Sequence, residues 1–295
     1  MSKSWTPGSH TLNAFLNLTD PNLLSHPHTV NNYFKLFHPP LSLKLFLAII
    51  TTIVHPPGVR LTKHSIMKSL LSIDTNAKTV KGQKKGYKTG ILYLAPASVS
   101  GVINVCMFAS DACKSACLYS AGRGAFTSVQ QARVNKTKLF VSDKHAFVES
   151  LKLNVSKLVS NCLKSKATPT VRLNGTSDIN WERYSVIQAF NDVQFYDYTK
   201  NHFRMMLFLA GKLPSNYSLT FSRSEVNEAD CLEVLKHGGN VAVVFRSKTL
   251  PKTWQGFRVI NGDENDLRFL DPKGVVVGLS AKGKAKSDTS GFVVD

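Results

Sequence analysis

Four short apolar runs constrain this chain more than any other feature. They begin at Thr170, Val193, Tyr217 and Asn240, roughly 23 residues apart, and each closes in polar residues. Helix-compatible sequence fills the gaps, as in Val226 to His237, which Gly238-Gly239 closes. Short strands with apolar residues at consecutive positions are buried on both faces, and their alternation with helices is the pattern of a parallel sheet. Similar runs lie at Ser69 to Asp74, Tyr87 to Leu94, Phe257 to Ile260 and Val275 to Leu279. Phe140, Phe147, Leu151, Val155 and Leu158 stand at helical spacing within Thr127 to Leu163, predicting two helices with a break near Ser142-Asp143. The expected fold class is α/β: an irregular or partial parallel β/α (TIM-like) barrel with a poorly structured N-terminal extension.

That architecture brings distant residues together, because the carboxyl ends of barrel strands share one rim. Asn174, Asp178, Asp197, Lys200, Ser222, Glu225 and Asp263 all follow a strand at the same relative point. Singly, each suits a turn or a helix cap. Together they suggest a substrate cavity, with Asp178, Asp197 and Asp263 as acid, base or ribose contacts. Lys200 joins them, and Arg223, Arg246 and Lys282 supply anion contacts. Asn174, Ser222 and Glu225 are candidates for holding a cofactor.

Ile91 to Gly124 is where the reactive side chains concentrate. Three of the five cysteines, Cys106, Cys113 and Cys117, fall in one loop after a strand. Cys162 and Cys231 sit in helix-like surroundings and read as small buried apolar residues. Three thiolates leave one coordination position open. In a zinc site it would hold water; in a 4Fe-4S cluster it would leave one iron for an external ligand such as S-adenosylmethionine. The spacing is Cys-x6-Cys-x3-Cys, a departure from the Cys-x3-Cys-x2-Cys of radical S-adenosylmethionine enzymes, so iron-sulfur, zinc and metal-free readings all stand. Gly122-Arg123-Gly124 follows at a helix start, where backbone N–H groups and a guanidinium suit a phosphate or carboxylate. Simple chain reversal fits the same three residues. The lysines at 78, 81, 84, 85 and 88 read as a basic loop, those at 282, 284 and 286 as a phosphate strip or a solvated tail.

Residues 1–66 differ from the rest. They carry seven of the twelve prolines, which forbid long helices and central strands. Their one apolar run, Leu41 to Val54, contains Lys44 and falls short of the roughly twenty residues of a membrane span. We therefore divide the chain into an irregular extension, 1–66, and a barrel-like domain, 67–295. A formal charge of +18 favours a nucleic-acid or nucleotide partner and no membrane. Cysteine usage without a pairing pattern places the protein in a reducing cytoplasm.

The segments LAPASVSG (Leu94 to Gly101), CKSACLYSAGRG (Cys113 to Gly124), VRLNGTSDINWE (Val171 to Glu182), VQFYDYTK (Val193 to Lys200), LTFSRSE (Leu219 to Glu225), NVAVVF (Asn240 to Phe245) and DLRFLDPKGVVVGLSAKGKA (Asp266 to Ala285) resemble the phage gene-product-eighty-eight family. The resemblance covers Met67 to Asp295 and implies a phage or prophage origin, so that the cytoplasm in question is the host's. It carries no catalytic residues over. It is also similar, at fold level only, to phage proteins that join a cysteine-rich loop to a barrel related to radical S-adenosylmethionine enzymes. Three functions remain open: an iron-sulfur or other metal-dependent enzyme acting on a nucleotide or nucleic acid, a zinc-containing base-exchange or glycosylase barrel with Asp178 or Asp197 as nucleophile, and a non-catalytic nucleic-acid-binding phage protein.

Overall fold

The computed structural model describes residues 69–73 and 77–295. Expectations for residues 1–66 lie outside the described residues.

The apolar runs form strands of one sheet. In chain order they are β1 (Leu71–Ile73), β2 (Tyr87–Leu92), β3 (Thr168–Arg172), β4 (Gln194–Thr199), β5 (Tyr217–Ser222), β6 (Val241–Phe245), β7 (Thr253–Trp254), β8 (Phe257–Asn261), β9 (Val276–Ser280) and β10 (Val293–Val294). The spatial order is β1-β2-β3-β4-β5-β6-β9-β8-β7, with β10 pairing the end of β6. All neighbours from β2 to β8 run parallel, and only β1 and β7 at the two ends are antiparallel to their partners. Among the described residues no strand joins β1 to β7. The result is a mixed α/β fold with an open, mostly parallel ten-stranded sheet, which corrects the expectation of TIM-like closure.

The helices are α1 (Ala77–Gln83), α2 (Asp111–Ser115), α3 (Thr127–Ser142), α4 (Lys144–Ser165), α5 (His202–Leu209) and α6 (Glu228–Lys236). The break between α3 and α4 falls at Asp143, whose carboxylate caps α4 by accepting from the Ala146 N–H at 2.9 Å. One sheet face is covered by helices. Leu92, Val171, Phe195, Leu219, Val241 and Val243 are buried there against Phe147, Leu151, Leu158, Met205 and Val234. Cys162 and Cys231 are buried in the same core, and Trp181 packs with Phe140 and Phe147 at ring separations of 5.4 and 6.4 Å.

The opposite face is polar in the middle strands, and its covering is unusual. The crossover from β8 to β9 lies over it: Phe269 packs on Tyr87 and Tyr196 at 5.4 and 5.5 Å, and Asp266 pairs with Arg172 at 3.0 Å. The segment expected to be a lysine-rich loop instead contains α1. Its Lys78 donates to the Gly262 carbonyl at 3.0 Å, Lys81 to the Asp263 carbonyl at 3.3 Å, and Gly82 lies against Leu267. Tertiary contacts thus fix a seven-residue helix too short to be stable alone. No helix among the described residues is long and apolar enough to cross a membrane.

Candidate functional site

A cavity of about 440 Å³ opens at the carboxyl ends of the parallel strands. The loop after β2 contributes Cys106, Cys113 and Cys117; the loop after β3 contributes Asn174 and Asp178; Lys200 follows β4 there, and β5 ends there in Ser222. Asp263 and Lys282 complete the rim. The sheet therefore brings the three thiols and most of the expected strand-tip residues to one place.

The cysteine loop is held by residues that serve position rather than contact. Ser110 caps α2, accepting from the Cys113 N–H at 3.2 Å and donating to Glu225 at 2.8 Å. The other Glu225 oxygen accepts from the Ala112 N–H at 3.3 Å. Glu225, expected to face a cofactor, anchors the thiol loop instead and does not line the cavity. Asp178 donates its backbone N–H to the Val105 carbonyl at 2.8 Å, and the Cys106 thiol donates to the Thr176 carbonyl at 3.7 Å. Burial pushes the Cys106 thiol up to about 11 and raises Cys117, while Cys113 and Cys117 act electrostatically on Cys106 across the cavity. Both thiols stay protonated at neutral pH unless a cation compensates them.

Asp197 is placed differently from expectation. Strand β4 runs on to Thr199, so the pleat turns Asp197 to the helix side, where it is fully buried. Its carboxylate accepts from the Asn174 N–H at 2.6 Å and the Tyr217 hydroxyl at 2.8 Å. Burial raises it to about 7. It lies outside the cavity lining and organises what stands beneath it. Asn174 lines the cavity, but its side-chain oxygen is already occupied by Ser177 Oγ at 2.8 Å, the Ile179 N–H at 3.0 Å and Trp181 Nε1 at 3.1 Å.

Asp178 does face the cavity. It accepts from the Lys200 N–H at 2.8 Å and from Arg204 at 3.3 Å, yet burial outweighs both and holds its carboxyl above the ordinary range. A carboxyl raised by burial and facing a cavity is suited to proton transfer. Asp263 is opposite in character. Although burial opposes its charge, Lys282 at 2.7 Å, Lys78 at 2.8 Å and the Ser280 N–H at 2.9 Å hold it well below the usual carboxylate range. It is an ionised anchor for two ammonium groups. Arg223 and Arg246, expected to contact anions, bind the C-terminal segment: Arg223 donates to the Gly291 and Phe292 carbonyls, Arg246 to the Asp288 carbonyl and the Asp295 carboxylate.

Sequence reasoning passed over Arg172, Tyr198 and Asp266, which also line this cavity, with the Arg172 guanidinium 4.6 Å from the Tyr198 ring centre. Arg172 lies at the end of a strand, the same sequence signal that marks Asn174 and Ser222. Arg204 was passed over as well. It is 1% exposed and forks onto Glu182 at 2.9 and 2.8 Å while donating to Tyr217 at 2.6 Å.

Gly122, Arg123 and Gly124 lie outside the first cavity and line a second one of about 1020 Å³ that adjoins it. Gly124 is required by the tight turn, since a Cβ there would stand 2.5 Å from the Tyr119 carbonyl oxygen. Lys136 also lines this cavity. Burial first, and Arg133 second, lower its pKa from 10.5 to about 8. Between those values the unfolded chain binds a proton that the folded one lacks, so stability rises with pH across that window, by roughly 3 kcal/mol. The difference in unfolding free energy between the wild type and Lys136→Met should grow by that amount from pH 8 to 10.5; parallel profiles would contradict the burial of a lowered ammonium.

With respect to a metal, three thiols facing one cavity form a suitable donor set, but among the described residues no His, Cys, Asp or Glu side chains are grouped tightly enough to hold a single ion. A single ion requires the thiols to close in, whereas a multi-iron cluster holds its thiolates further apart.

Fold and site define an α/β protein with an open parallel sheet and a thiol-lined cavity at the strand ends. The chain belongs to the phage gene-product-88 family: the family model described as Gene product 88 matches residues 68–295. No curated protein and no solved structure matches the chain, so the likeness to barrels related to radical S-adenosylmethionine enzymes gains no support there.

Proposed function

We propose that the chain is a metal-dependent enzyme acting on a nucleotide or nucleic acid, with Cys106, Cys113 and Cys117 holding an iron-sulfur cluster in the first cavity. The observation that carries this reading is the meeting of all three thiols with Asp178, Lys200 and Lys282 around one opening. When bound, the cluster supplies redox and Lewis-acid chemistry at an iron without a protein ligand. The chain's own residues do the rest. Asp178, its carboxyl raised by burial, takes or gives a proton at the cavity wall. Lys200 and Lys282 present cations to an anionic substrate, Lys282 steadied by Asp263. Arg172 and Tyr198 offer a guanidinium stacked on a ring, a surface suited to a base or a phosphate. The charge of +18 agrees with a polyanionic substrate.

Anaerobic reconstitution of the full chain should give a brown protein with about four irons and four labile sulfides per chain. Cys113→Ser should lose most of that iron, since a thiolate ligand is replaced by a hydroxyl. Zinc at one equivalent with no iron would replace the cluster with a zinc site and leave Asp178 as the one expected nucleophile facing the cavity. A protein that takes up neither metal would defeat the proposal.

A further inference from the structure

We propose that the second cavity is a phosphate site, which holds the anionic part of a ligand whose reacting part occupies the first cavity; only the latter half rests on the nucleotide reading above. Among the described residues the lining contains five cations, Arg123, Arg133, Lys136, Arg172 and Lys282, and neither an aspartate nor a glutamate. Two of these cations are already compensated, Arg172 by Asp266 at 3.0 Å and Lys282 by Asp263 at 2.7 Å.

Arg133 is the informative one. It is 8% exposed, and its Nε and Nη1 have no hydrogen-bond partner among the described residues. Its guanidinium lies 4.7 Å from the Tyr93 ring centre and 5.4 Å from that of Tyr119, which fixes its plane without satisfying its N–H groups. Burying a cation with unmet donors is costly, and a bound oxyanion would lower that cost by accepting from one of the unmet N–H groups. Helix α3 points to the same place. It begins at Thr127 with no side-chain cap and no acidic residue in its first turn, and Ser128 and Val129 of that turn line the cavity. Unbonded N–H groups and the positive end of a sixteen-residue helix favour an anion there. Leu118, Arg172, Gly175, Thr176 and Lys282 line both cavities, so a ligand can extend from one to the other.

The test is calorimetric titration of the metal-free full chain with inorganic pyrophosphate at low salt. One saturable site per chain is expected, with no comparable binding of acetate at matched ionic strength. Ser128→Asp adds a carboxylate to the first turn of α3, where it favours the helix and leaves the fold intact. It should weaken pyrophosphate binding at least about tenfold, as should Arg133→Met, each loss being of the size of one charge-assisted hydrogen bond. Equal affinity in both variants, or many weak sites per chain, overturns the proposal. A nucleoside diphosphate should displace pyrophosphate; failure to compete would sever the link between the two cavities. Because the protein is metal-free, loss of the iron reading leaves this result standing, and loss of the pyrophosphate site leaves the iron reading standing.

Discussion

Arg204→Met is expected to destabilise the protein by about 3–5 kcal/mol, the cost of removing one partner from a buried ion pair. The guanidinium is 1% exposed and touches Glu182 with two nitrogens, Asp178 with a third contact at 3.3 Å, and the Tyr217 hydroxyl. Methionine fills similar volume, so the loss measures charge and hydrogen bonding rather than a void. Two carboxylates would remain in a poorly solvated place without their cation. The midpoint of thermal unfolding should fall by roughly 10 °C, taking about 2–4 °C per kcal/mol for a domain of this size. Arg204→Lys should recover little, because an ammonium cannot make the fork. A fall of no more than a degree or two in the methionine variant would show that the network contributes nothing net.

Asn174→Ala should cost about 3 kcal/mol or more, for a related reason. One amide oxygen receives three donors, Ser177 Oγ, the Ile179 N–H and Trp181 Nε1, and the amide nitrogen donates to the Ile179 carbonyl at 2.9 Å. Removing it leaves several buried groups unmet, each worth about 1 kcal/mol or more. The loop from 174 to 181 carries Asp178, so this variant should also unsettle the cavity wall. Urea unfolding gives the free energy, and the double variant with Arg204→Met should fall short of the sum, since Asp197 and Tyr217 connect the two networks. Strict additivity would show that they act separately.

The strands were legible because parallel strands buried on both faces leave uninterrupted apolar runs, as in Val241 to Phe245. The Asp143 break was legible because a capping carboxylate interrupts the apolar spacing. Other features depend on contacts the chain makes only when folded. Helix α1 is rich in lysine and holds a glycine, and it is fixed by Gly262, Asp263 and Leu267. Asp197 suits a strand tip only if Tyr198 and Thr199 are loop; the strand runs through both, and the pleat sets Asp197 on the helix side. Strands β7 and β10 are two residues each and carry no periodicity. In α3 the inward stripe is Arg133, Lys136, Thr137 and Phe140, so the helical spacing is present but three of its four members are polar. A cation at such a position reads as solvated face until packing shows otherwise.

Strand order has a consequence for the chain as it is made. Strand β9 lies between β6 and β8, although it is synthesised after both. While a ribosome is still adding residues 262–275, β6 has a bare edge and the β7–β8 hairpin has nowhere to dock. The thiols in the early loop therefore meet the nascent chain's surroundings before Asp263 and Lys282, which complete the cavity rim, have been made.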